Sequence, residues 1–126
     1  MAQHGYVYLI QGPREAGKDL FKIGRTINPK TRFSNLQTGS PVLLKLVKIT
    51  KTKNPKELER YLHRYCAEMR IHGEWFALGK GDVRSVKKIM QKHGTKSGKK
   101  RLVALLILFI IAIGYFNIDT STLELY

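Results

Sequence analysis

The sequence predicts an α/β domain with one core, followed by a single C-terminal transmembrane helix. Two patterns point to it. Short aliphatic runs that read as strands alternate with helices opened by the same Asn-Pro-Lys signal, at residues 28–30 and 54–56. A run of seventeen residues without a charge, Leu102–Ile118, lies near the end of the chain. At 126 residues the chain has room for one modest core and not for two.

The first strand is read at Val7 and Leu9, with Tyr6, Tyr8 and Ile10 around them, and the second at Leu20–Gly24. Between them, GPREAGKD (Gly12–Asp19) has the glycine and Gly-Lys spacing of a phosphate-binding P-loop. Asp19 stands where such a loop needs a magnesium-binding hydroxyl, and a strand pattern follows where it needs a helix, so a hairpin loop is expected instead. Asn28 caps a short helix with Pro29 in its first turn and Gly39 at its stop. Val42–Thr50 reads as a third, central strand. Asn54 opens a longer helix to about Arg70, with Leu58, Tyr61, Leu62, Tyr65, Cys66 and Met69 on one apolar stripe. GEWFALG reads as a fourth strand or extended edge, and a last helix from Asp82 turns Val83, Val86, Ile89 and Met90 inward. The chain is thus divided into a domain over 1–93, a basic linker over 94–101, a transmembrane helix over 102–118 and a short tail over 119–126.

Charge is distributed unevenly. All 23 Lys and Arg lie at or before Arg101, together with only seven of the nine acids, so residues 1–101 carry a formal +16. A surplus of this size points to a polyanion or an anionic membrane face. The single cysteine, Cys66, excludes an intramolecular disulfide, and the N-terminus lacks the pattern of a secretory signal peptide. As a helix, Leu102–Ile118 would rise about 25 Å, at the short end of what spans a bilayer. Lys99, Lys100 and Arg101 before it are expected to hold that end, and the N-terminal domain, on the cytoplasmic side.

Glu59 and His63 stand four apart on the longer helix, at the margin of its apolar stripe. A carboxylate there can hold a hard cation, and the histidine can take or give a proton; a solvent-exposed pair is the plainer alternative. Arg25 and Arg32 bracket the second strand and first helix and suit bidentate phosphate contact. Tyr8, one strand away, is either a core aromatic or a hydroxyl whose proton the arginines loosen. His63, Cys66 and His72 raise a zinc site, without the paired spacing such sites show.

Taken together, VYLI (Val7–Ile10), KIGRT (Lys22–Thr26), TRFSNLQTG (Thr31–Gly39), ELERYLHRYC (Glu57–Cys66) and GEWFAL (Gly73–Leu78) resemble the GIY-YIG nuclease superfamily. The branch is the one found in phages, bacteria and large DNA viruses and named for a meiotically up-regulated yeast gene. The resemblance runs over about residues 5–78. It implies a small three-stranded, mostly antiparallel sheet flanked by helices, and metal-dependent cleavage of DNA with Mg²⁺ or Mn²⁺ and no small-molecule cofactor. By position, Tyr8 looks like the first-motif tyrosine, Gly24 the closing glycine of the second, Arg32 the helix arginine and Glu59 the metal carboxylate, with His63 completing ExxxH and Glu74–Phe76 matching EWF. Lys22 replaces the second-motif tyrosine, and the final asparagine of classical members has no clear counterpart.

The function expected is therefore a membrane-anchored DNA endonuclease. Glu59 would hold the metal; Tyr8, helped by Lys22 or His63, would activate water; Arg25 and Arg32 would offset phosphate charge; and Lys22, Arg25, Lys30 and Arg32 would contact DNA. The alternatives are a non-catalytic module tethering DNA to a membrane, and a peripheral protein whose residues Lys92–Arg101 meet anionic headgroups.

Overall fold

A computed structural model describes residues 4–95. In chain order these form β1 (Gly5–Glu15), β2 (Lys18–Thr26), α1 (Pro29–Thr38), β3 (Lys45–Thr52), α2 (Pro55–Tyr65), a 3₁₀ turn (Ala67–Met69), β4 (Arg70–His72), β5 (Trp75–Ala77) and α3 (Lys80–Lys92). The strands make one sheet in the order β3-β1-β2-β5-β4, every neighbouring pair antiparallel.

This corrects the expected three-stranded sheet to five strands. Gly73 takes a positive φ of 53° and turns the chain back on itself, so Arg70–His72 pairs with Trp75–Ala77. The residues expected to finish α2 are spent on that turn, and the helix stops at Tyr65 rather than near Arg70. Among the described residues no helix is long and apolar enough to cross a membrane. The transmembrane helix expected over 102–118, and the tail over 119–126, lie outside the described residues.

The strand expected at the centre, β3, is an edge strand, and β1 is an interior one. Val7, Tyr8, Leu9 and Ile10 are all fully buried, because β1 is covered on both faces. Val7 and Leu9 join Phe21 and Ile23 of β2 under α2 and α3, against Leu58, Leu62, Cys66, Val86 and Met90. Tyr8 and Ile10 face the other way and pack with Phe33 of α1 and with Leu44, Leu46 and Ile49. β3 lies at the edge, where lysines at 45, 48 and 51 discourage pairing with another chain. The end of α3 closes onto this strand, where the Thr95 amide donates to the Lys51 carbonyl at 2.9 Å.

The expected caps divide. Asn28 accepts a hydrogen bond from the Thr31 amide at 3.3 Å, whereas Asn54 starts α2 without a side-chain bond. On α2 the apolar stripe is narrower than its spacing suggests. Leu58, Leu62 and Cys66 are buried, and Tyr61 and Tyr65 are exposed.

GPREAGKD is a hairpin whose strands run to its tip. Glu15 pairs with Lys18, leaving Ala16 and Gly17 as a two-residue turn with φ of 50° and 75°. Positive φ at both positions is the signature of the type I′ turn that matches strand twist. Ala16 is the only non-glycine with positive φ among the described residues. Its Cβ is strained there, so Ala16→Gly is expected to stabilise the domain by about 0.5–1 kcal/mol, read from urea unfolding.

Candidate functional site

β5 covers only part of β2. Their register takes in Leu20–Lys22, and one more bond, from the Ile23 amide to the Glu74 carbonyl at 3.1 Å, ends the contact. Past that point the outer edge of β2 is open, and side chains from both faces of the sheet converge on it.

From the α1 face comes Tyr8. It stands opposite Gly24 in the β1–β2 ladder, and its ring lies across that glycine so closely that a Cβ there would overlap the hydroxyl. Phe33 supports the ring edge-on at 5.4 Å between centroids. Arg32 then donates from Nε to the Tyr8 oxygen at 3.2 Å. The tyrosine has no exposed surface, and burial pushes its pKa above the ordinary value of 10 although Arg32 pulls the other way. Tyr8 is thus a neutral phenol that holds Arg32 in place. The loosened proton expected from neighbouring arginines is outweighed by desolvation.

Lys22 lies on the same face. Its ammonium is 3.1 Å from Glu74 Oε2 and 5.4 Å from the centre of the Trp75 ring, so two consecutive residues of the β4–β5 hairpin fix its position.

From the α2 face come Arg25, Glu59 and His63. Arg25 Nη1 donates to Glu59 Oε1 at 3.3 Å; the arginine side chain is 44 % exposed and the glutamate 14 %. Burial raises the Glu59 pKa and the charge of Glu74 adds to the effect, while His63, Arg25 and Lys22 draw it down. His63 Nε2 lies 2.9 Å from the Ile23 carbonyl, just past the end of the β2–β5 register. A carbonyl only accepts, so Nε2 carries a proton, which leaves Nδ1 as the ring's acceptor whenever the imidazole is neutral. Phe76, 5.2 Å away, backs the imidazole.

Six of the seven residues singled out from the sequence therefore meet at one edge: Tyr8, Lys22, Arg25, Arg32, Glu59 and His63. Lys30, exposed in the first turn of α1, forms no ion pair among the described residues. The zinc alternative finds no set: Cys66 is buried in the core with its thiol pushed up to about 11, and among the described residues no three metal-binding side chains gather. Glu74 is a member that sequence reading passed over. It stood in a quoted motif, but only the hairpin turn brings its charge to Lys22 and within reach of Glu59.

Arg25, Glu59 and His63 also open onto a cavity of about 490 Å³ along α2. A family model, the T5orf172 domain, matches residues 5–92. It corrects the affiliation expected from the motifs, since the family found is not the GIY-YIG nuclease superfamily. No curated protein matches the chain. No solved structure does either.

Proposed function

The chain belongs to the T5orf172 domain family, and from that membership we propose that it is a metal-dependent endonuclease hydrolysing phosphodiester bonds of DNA. The membership is consistent with a protein that acts on DNA. Cleavage is the finer reading, and one observation carries it: a largely buried carboxylate, a histidine held through Nε2 and three cationic side chains converge on one open strand edge.

Glu59 is the group that would hold the cation. Its oxygens are hard donors, its charge is desolvated and repelled by Glu74, and Arg25 offsets it only in part, so an added divalent ion relieves the site. That environment fits Mg²⁺ or Mn²⁺, which takes one or two carboxylates from a protein and fills its remaining positions with water and phosphate. When bound, the ion would polarise a phosphate oxygen and ease departure of the leaving oxygen.

The chain's own residues do the rest. His63, held by the Ile23 carbonyl, accepts at Nδ1 the proton of the attacking water. Arg32, anchored by Tyr8, and Arg25 donate to phosphate oxygens as negative charge builds on them. Lys22, kept in place by Glu74 and Trp75, adds a third positive charge beside them.

Incubating the full chain with supercoiled plasmid and Mg²⁺ or Mn²⁺ tests the proposal. Nicked circles that disappear with chelator are expected; intact plasmid in a mixture where binding is demonstrated overturns it. The ion pair that occupies Lys22 and the complete burial of Tyr8 favour the second reading, a DNA-binding domain without cleavage, should that be the outcome.

A further inference from the structure

The cavity beside Glu59 continues past the cleavage residues. Beyond Arg25, Glu59 and His63 it is lined by Lys56, Arg60 and Arg64 of α2 and by Arg70 of β4. Glu59 is its single carboxylate, already engaged by Arg25. Lys56, Arg60 and Arg64 are exposed and have no acidic partner among the described residues. The other acids of this segment, Glu57 and Glu68, stay out of the lining.

A solvated helix face normally mixes its signs, and the i, i+4 positions of a helix are where opposite charges pair. Here those positions repeat one sign three times. Lys56, Arg60 and Arg64 fall on one stripe, each step rising about 6 Å along the axis, a separation on the scale of successive phosphates in one nucleic-acid strand. Arg70 is steadied over the Phe76 ring at 5.3 Å, and Arg25 by Glu59, so both flanks of the row are held in place. A concave wall of one sign also focuses the field that draws in a polyanion.

We infer that this groove carries the sugar-phosphate backbone of the DNA strand flanking the bond to be cut, with Lys56, Arg60 and Arg64 each meeting a phosphate. The strand would cross the open edge of β2 between Arg32 and Arg25 and continue along α2 toward Arg64. Contact through phosphates alone makes this part of the grip indifferent to sequence. The inference rests on the reading of the chain as a DNA-acting protein, and it concerns binding rather than cleavage.

The test measures binding of the full chain to a short fluorescent duplex in metal-free buffer over a range of salt. The groove variant Lys56→Gln/Arg60→Gln/Arg64→Gln is compared with Lys45→Gln/Lys51→Gln/Lys53→Gln, an equal loss of charge around β3. The groove variant is expected to bind about tenfold or more weaker, with a salt slope shallower by about 2 to 3, and the β3 variant to follow wild type. Equal losses in both variants, or a groove variant that binds as wild type does, overturns the inference. So does a groove variant that loses binding to phosphatidylserine vesicles while keeping the duplex. Plasmid cleavage by the wild-type chain is scored separately: intact plasmid alongside groove-dependent binding removes the nuclease reading and leaves the groove standing.

Discussion

Glu59→Gln is expected to lower plasmid nicking on the order of 10²-fold or more while leaving the domain more stable, not less, at neutral pH. Both effects come from one burial. The carboxylate is 14 % exposed, with Glu74 adding repulsion, and its pKa is raised above the ordinary 4.5. Between that value and the raised one, the folded protein holds more protons than the unfolded chain, so stability falls as pH rises through the window and stays lower above it. Glutamine carries no such deficit. Arg25 loses its partner, but at 44 % exposure it is largely satisfied by water. Urea midpoints should show the variant ahead of wild type at about pH 7 and the gap closing below about pH 4. A variant that nicks normally would remove Glu59 from the proposed site. One that is less stable at neutral pH would mean that the ion pair outweighs the desolvation.

The second large effect belongs to a residue with no chemistry of its own. Gly24→Ala places a methyl group where the Tyr8 hydroxyl lies, and the ring cannot yield because Phe33 packs against it and Tyr8 has no exposed surface. Overpacking of this kind costs about 1–3 kcal/mol. It also moves the oxygen to which Arg32 donates, so nicking is expected to fall about tenfold or more even in the folded fraction. Adding Tyr8→Phe should recover part of the lost stability and none of the lost activity, because phenylalanine withdraws the clashing oxygen and leaves Arg32 without its anchor. Gly81→Ala is the control. Open space surrounds Gly81 in α3, so alanine there should stabilise by about 0.5–1 kcal/mol. Equal behaviour of the two alanine variants would mean that the close approach at Gly24 plays no part.

Much of this arrangement could be read from residue order. The Asn28 cap, the hairpin in place of a P-loop and the inward face of α3 each follow from local chemistry within a few residues. The candidate residues were also legible, because Glu59 and His63 share a helix face and Arg25 and Arg32 sit at element boundaries. What stayed hidden depends on pairing at a distance. The run Val42–Thr50 is as aliphatic as a central strand, but its lysines mark an edge only once β1 is known to be covered on both faces. Arg70–His72 looks like a helix end until Gly73 turns it into a strand. Glu74 carries no signal of its own, since its charge matters only after that turn sets it against Lys22. The phenol of Tyr8 illustrates the limit: neighbouring arginines can be guessed from spacing, whereas the burial that outweighs them cannot.

The bond from the Thr95 amide to the Lys51 carbonyl clamps the segment after α3 to the sheet. It ties that segment to β3, two strands away from β2 and so about 10 Å across the sheet from it. The same stretch meets α2, where the His93 ring lies 6.2 Å from that of Tyr61, so the end of α3 ties the edge strand and the groove-bearing helix together.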